Sequence, residues 1–317
     1  MASSERDTHE NRTVIQEFIL VGFSYLAEMQ SLVFLLFLAT YIVTLLGNFL
    51  IILLIKLSPS LHTPMYFFLV NLSFLDICFT TSVVPQMLVH LLVKHKSISI
   101  AGCAAQLYAY AIVGVTECCL LASMAYDRYV AICHPLHYTT IMSGRKCVSL
   151  AAASWITSIS VQLIQVTWIF TMPFCGSNLI DHFFCDFAPL AKLACADTSK
   201  NEILIMVVTV LFIMGPFLLI ILSYINIMCT IFKLPSAEGR RKAFSTCSSH
   251  LMVVMLFYGT ILLTYLRPKS RHTPEGDKVL SLMYTAITPA LNPLIYTLRN
   301  KEVKGAFRKA VKGISIP

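Results

Sequence analysis

Seven long apolar runs leave this chain few folds to choose from. They lie at about residues 26–56, 64–92, 102–133, 147–171, 202–232, 243–266 and 278–297. At roughly 1.5 Å per residue, each can cross a hydrocarbon core of about 30 Å as a helix. In lipid every backbone polar group must find a partner within its own segment or a closed barrel, and runs this long are helices. The composition agrees, with 57% hydrophobic and 13% charged residues, against about 25% charged in soluble domains. The fold class expected is an all-α membrane protein: a seven-transmembrane helix bundle with a short amphipathic C-terminal helix. Residues 1–25 form a polar tail, 26–297 the bundle, and 298–317 the terminal helix and tail.

An odd number of spans puts the termini on opposite sides. With the N-terminus outside, 14 of the 24 Lys and Arg fall on the inner side, as the positive-inside rule requires. Asn11-Arg12-Thr13 is a glycosylation sequon, and Cys175, Cys185 and Cys195 cluster in one loop; both belong outside on this topology. Residues 1–24 carry Glu5, Asp7, Glu10 and Glu17 and show no cleavable signal, so the first span is expected to direct insertion into the plasma membrane. The net charge of +8 comes largely from the C-terminal tail and suits an anionic inner leaflet, not nucleic acid. No repeat relates the two halves of the chain, which argues against a transporter or channel.

Ionisable residues at membrane depth are costly and mark function. The third span holds Glu117, Asp127 and Arg128, and the second holds Asp76. Asp127 supplies Arg128 with a local counter-charge. Asp76 and Glu117 are natural partners, and two carboxyls in one dry site should bind Na⁺ or share a proton. Tyr110 lies eighteen residues from Arg128, about 27 Å along a helix, so a ligand near Tyr110 cannot touch that arginine. Tyr110, Ala111, Gly114, Val115 and Cys118 share one helical face and leave volume for a ligand. Gln162 and Gln165 either touch a polar ligand group or join helices. Val208, Thr209 and Phe212 in the fifth span and Tyr258, Ile261 and Tyr265 in the sixth complete the candidate pocket. Asn48 should face the bundle, and the buried sequon Asn71-Leu72-Ser73 should be structural. Gly215-Pro216 should loosen the fifth helix, and Pro289 and Pro293 should free carbonyls near the inner end of the seventh. The fifth and sixth spans join through a short connection, Leu234 to Gly239. Val303, Phe307, Ala310 and Val311 form an apolar stripe between Lys304, Arg308, Lys309 and Lys312, a helix suited to the inner leaflet. Cys103, Cys175, Cys185 and Cys195 allow three disulfide pairings.

The stretch Met124-Ala125-Tyr126-Asp127-Arg128-Tyr129-Val130-Ala131-Ile132-Cys133 resembles the signature of the olfactory receptor family, tetrapod type, within the rhodopsin-like G-protein-coupled receptors. Pro64-Met65-Tyr66-Phe67-Phe68-Leu69, the block from Lys242 to His250, and Asn292-Pro293-Leu294-Ile295-Tyr296 are similar to further family blocks, so the resemblance runs from Gly47 to Asn300. It implies a receptor and no enzyme: a small volatile odorant binds the outer half, and a stimulatory, olfactory-type G protein is activated, raising cyclic AMP. Asp127, Arg128, Tyr129, Tyr224, Arg241, Lys242, His250, Asn292, Pro293 and Tyr296 are then the coupling and activation residues. The resemblance also implies Cys103 paired with Cys185, leaving Cys175 with Cys195, a sodium site at Asp76 and Glu117, and residence in olfactory cilia. His182 and Cys185 have a spacing that suits copper, but oxidation removes the Cys185 thiolate, so neither a metal centre nor any cofactor beyond Na⁺ is expected. The sixth span has Tyr258 without the proline that rhodopsin-like receptors usually carry nearby, so a proline-hinged swing is not assumed. With no Lys, Arg or carboxylate in the pocket except Glu117, the expected odorants are uncharged or weakly polar. A receptor of the same fold reading a metabolite or steroid outside the nose is the alternative.

Overall fold

The computed structural model describes residues 16–23, 28–175, 177–195, 199–233, 235–265, 273–299 and 301–314; Asn11 and the side chains of Lys242 and Tyr265 lie outside the described set. The apolar runs become long helices: α1 (Gln30–Leu57), α2 (Pro64–Leu92), α3 (Ile100–Cys133) and α4 (Gly144–Thr171). Then follow α5 in three parts (Ser199–Thr209, Val210–Met214, Gly215–Lys233), α6 (Ala237–Tyr265), α7 in three parts (Pro274–Leu282, Met283–Ile287, Thr288–Arg299) and α8 (Lys301–Ile314). Six of these are each long and apolar enough to span a membrane, and the bent pair Ala237–Ser245 and Cys247–Leu263, at 41°, makes a seventh span.

Local chemistry sets several boundaries. Pro64 occupies the first turn of α2, where a missing N–H costs nothing. Ser99 caps α3 by accepting from the Gly102 amide at 3.0 Å, and Ser143 caps α4 by accepting from Lys146. The connection expected over Leu234–Gly239 is shorter still, because α6 is already helical from Ala237 and carries Arg240 and Arg241 in its opening turns.

The middle parts of α5 and α7 are π-helical. The amide of Gly215 reaches the Val210 carbonyl, and that of Thr288 reaches Met283, five residues back in each case. A proline follows each, Pro216 and Pro289, and has no N–H to offer the carbonyl four residues earlier. The ladder widens by one residue to pass the gap. The loosening expected near the inner end of the seventh span therefore falls before Pro289. The freed Pro289 carbonyl accepts from Asn48 Nδ2 at 3.3 Å, which ties α1 to α7.

A neighbouring contact between α1 and α7 explains Gly47. A Cβ there would lie 2.9 Å from Cβ and 3.1 Å from Cγ of Pro293, a rigid ring that cannot turn aside. Gly47→Ala should therefore lower the thermal stability of the purified receptor, by about 1–3 kcal/mol, as overpacking does. An unchanged melting temperature would show that α1 and α7 are free to separate.

At the other end lies a small three-stranded sheet, absent from the sequence expectations. β1 (Glu17–Leu20) sits in the middle, antiparallel to β2 (Ser97–Ser99) and parallel to β3 (Leu179–Ile180). Phe18 and Leu20 turn inward and are buried. The sheet draws together the N-terminal segment, the α2–α3 connection and the loop after α4.

Of the stripe expected on the terminal helix, Val303 packs into the bundle beside Ala306 and Phe307 is 41% exposed, as a lipid-facing residue would be; the side chains of Ala310 and Val311 lie outside the described set. Tyr66 of α2 donates to Glu302 Oε2 at 2.6 Å, which fastens the start of α8.

Candidate functional site

At the sheet end, one face of α3 holds the loop. Cys103 is disulfide-bonded to Cys185, with Cα atoms 5.5 Å apart. One helical turn on, Gln106 Oε1 accepts from the Cys185 amide at 2.9 Å, while its Nε2 donates to Ser82 and Gln86. One turn further, the Tyr110 hydroxyl donates to Asp186, whose Oδ1 also accepts from the Phe187 amide at 2.7 Å. The Tyr110 ring stands edge-on to Phe184 and Phe79, at 5.2 and 6.3 Å. The expectation of no pocket carboxylate but Glu117 is therefore corrected: Asp186 touches Tyr110, already bonded twice.

The same loop is tied to α7. Lys278 Nζ donates to Asp181 at 2.6 Å, and His182 Nε2 lies 3.2 Å from Ser281 Oγ. His182 is stacked on Phe183 and edge-on to Phe184, and burial pushes its titration down to about 4, so it is neutral at pH 7. Cys185 is held in the disulfide and has no thiolate to offer a metal, while His182 Nδ1 is buried with no hydrogen-bond partner among the described residues. Cys175 is bonded to Cys195, Cα atoms 5.9 Å apart.

Below this lid, Ala111, Val115 and Cys118 are buried, and Gly114 leaves room where a Cβ would stand 3.5 Å from the Phe79 ring. Tyr258 is 1% exposed and stacks on Phe217 at 4.7 Å, which joins α5 to α6, and its hydroxyl is buried with no hydrogen-bond partner among the described residues. Ile261 packs against the core and Val208 is buried, while Thr209 and Phe212 are only half-buried. Gln162 and Gln165 are both buried.

In the middle of the bundle, Asp76 has a partner besides the one charge reasoning suggests. Asn292 Nδ2 donates to both its oxygens, at 3.0 and 3.1 Å, and Glu117 stands close enough to repel it electrostatically. The Asn292 Oδ1 and the Tyr296 hydroxyl are buried with no hydrogen-bond partner among the described residues. Pro293 is buried against Gly47.

The far end of α3 carries the coupling candidates. Arg128 donates to Asp127 through Nε at 3.0 Å and through a terminal nitrogen. The Tyr138 hydroxyl donates to the other Asp127 oxygen at 2.8 Å. Tyr129 Oη lies 3.1 Å from His134 Nε2, and Arg241 is exposed. His250 Nε2 is 3.1 Å from the Leu121 carbonyl, an acceptor only, so Nε2 carries the proton. Its Nδ1 must then accept from the Tyr224 hydroxyl, 2.8 Å away. One imidazole thus joins α3, α5 and α6.

The fold is shared with the crystal structure of squid rhodopsin, at TM-score 0.70 over 91% of this chain and 87% of that one, with 19% identity. A family model described as olfactory receptor matches residues 37–313. The chain belongs to the olfactory receptor family. Among its relatives, human olfactory receptor 10A4 is 56% identical over 303 residues, 95% of this chain and 96% of that protein. Human olfactory receptor 10A5 is 57% identical over 300 residues, 94% and 95% of the two. The dog olfactory receptor-like protein OLF3 is 52% identical over 299 residues, 94% of each. The protein is thus a multi-pass olfactory receptor that takes small-molecule ligands and couples to a G protein, without enzymatic chemistry.

Three contacts of this receptor's sites escaped the sequence reading. Gln106 and Asp186 pin the loop to α3, and Tyr138 makes the third bond to Asp127. Each had a legible signal: an amide one turn from a cysteine, a carboxylate beside another, and a tyrosine in the loop after Arg128. None of these says which partner is chosen.

Proposed function

We propose that this olfactory receptor is tuned to uncharged or weakly polar volatiles, held at the sheet end, which faces outside. Agonist binding at the level of Tyr110, Gly114, Cys118 and Tyr258 then activates a stimulatory G protein of the olfactory type at the Arg128 end, raising cyclic AMP. The observation that carries this reading is the division of α3. Its first turns hold a loop-lidded, largely apolar face with Asp186 already bonded, and its last turns hold the Asp127–Arg128 pair, about 27 Å from Tyr110. An agonist must therefore act by favouring one bundle arrangement over another, since equal binding to both shifts nothing.

Residence in the plasma membrane of olfactory cilia, with the basic face of α8 on anionic inner-leaflet lipid, belongs to the same reading. So does a sodium ion between the two ends. Asp76 and Glu117 supply carboxylates and Asn292 an unpartnered amide oxygen, the hard oxygen donors that Na⁺ takes. When bound, the ion would offset the mutual repulsion of the two carboxylates; Asn292 orients Asp76 in either state.

The test is a dose-response panel with a cyclic AMP readout in cells, comparing wild type with Tyr258→Phe and Tyr265→Ala. Tyr258→Phe should weaken potency about tenfold at unchanged surface level, as for one hydrogen bond. An amine or acid as best agonist would refute the tuning.

A further inference from the structure

The buried stripe of α4 changes chemistry along its length. Ser154 and Ser158 satisfy themselves on their own helix, donating to Leu150 at 2.9 Å and to Ser154 at 2.7 Å. Gln162 and Gln165 follow on the same face, three residues apart, and are 2% and 3% exposed. Their Oε1 atoms have no hydrogen-bond partner among the described residues. An amide oxygen sealed from water without a donor is costly, and two within one turn are seldom kept unless something fills them.

Their depth says what that is. α3 starts and α4 ends beside the sheet, so the two helices run in opposite directions, and Tyr108 Oη lies 2.5 Å from Thr167 Oγ1. Counting inward from that bond, Gln165 comes level with Tyr110, and Gln162 with Val113 and Gly114. This is the segment to which the odorant is assigned above.

We propose that Gln162 and Gln165 form an acceptor pair for a hydroxyl-bearing odorant, so that this receptor prefers alcohols and phenols to ethers of the same skeleton. The inference rests on the pocket reading and narrows it to a ligand class. A carboxamide oxygen accepts and cannot donate, so an ether or ester, which only accepts, leaves both oxygens as they were. A hydroxyl hydrogen satisfies one of them, and its own oxygen remains free to accept from an amide nitrogen of the pair. An ammonium would also donate, but at this level Asp186 is held by Tyr110 and the Phe187 amide, and Glu117 stands a turn of α3 further in, against Asp76.

The test uses matched pairs of aliphatic alcohols and phenols with their methyl ethers, read as EC50 ratios in cells at measured surface expression. Wild type should respond to the alcohol of a pair at a concentration about tenfold lower or more than to the ether. Gln162→Leu and Gln165→Leu should raise the alcohol EC50 by about that factor, leave the ether unchanged, and bring the ratio near one. Wild-type alcohols and ethers of equal potency would overturn the proposal whether or not the leucine variants fold. So would a ratio that survives in both leucine variants, which would mean that buried water satisfies the amides. If the ratios are flat while Tyr258→Phe still weakens both series, the pocket stands and only the acceptor pair falls. If neither series activates at all, both readings fall together.

Discussion

A receptor carrying Asp127→Asn together with Arg128→Gln should reach the cell surface and fail to activate its G protein at any agonist concentration. The double substitution is the informative one. Asp127 is fully buried and bonded to Arg128 twice and to Tyr138 once. Arg128→Ala alone would strand that carboxylate with a single neutral donor, a loss of about 3–5 kcal/mol that mixes misfolding with uncoupling. Neutralising both leaves no uncompensated buried charge while removing the guanidinium that the partner would meet. Surface level is read by an antibody to an N-terminal epitope and coupling by the cyclic AMP response. Normal coupling would move the relay elsewhere, the His250 bridge between α3, α5 and α6 being the next candidate. Asp127→Asn alone should have the opposite sign, a raised basal signal, because it releases the guanidinium without removing it.

The spans were legible because lipid allows one solution for them. The second run, 64–92, coincides with α2, since a proline opens it and polar residues close it. The sheet was not legible: β1 has four residues, too few for a period-two signal, and its partners lie about 80 and 160 positions away. Charge alone brings Asp76 toward Glu117, and the two lie within electrostatic reach. It cannot show that an amide from α7 also meets Asp76 and donates to both its oxygens. The prolines of α5 and α7 were seen, but a missing N–H is felt by the carbonyl before it, so each defect appears ahead of its cause. On α8 the stripe was judged against lipid alone, whereas the bundle takes Val303 and Ala306 for itself. In the pocket, helical spacing placed Tyr110, Gly114 and Cys118 on one face, but spacing within α3 cannot show that Asp186 comes down from the loop to meet it.

The two disulfides should differ sharply when removed. The Cys103–Cys185 bond spans 82 residues and the Cys175–Cys195 bond spans 20. Loop-closure entropy assigns them about 4.5 and about 3.3 kcal/mol, and the order matters more than either value, because inserted helices never become random coil. Local support widens the difference. Cys175 and Cys195 are also joined through backbone bonds, from the Cys195 amide to the Pro173 carbonyl at 3.0 Å and from the Cys175 amide to the Leu193 carbonyl. Beyond the Cys103–Cys185 bond, the loop's hold on α3 comes from Gln106 and Tyr110, and these meet residues 185 and 186 only while the covalent pin holds the register. Cys103→Ser with Cys185→Ser should therefore abolish agonist response and cut surface expression about tenfold or more. Cys175→Ser with Cys195→Ser should leave a folded receptor whose potency falls by about threefold. Equal losses from the two pairs would mean that the loop is held as one unit, and that the α3 contacts do not set the floor on which the odorant rests.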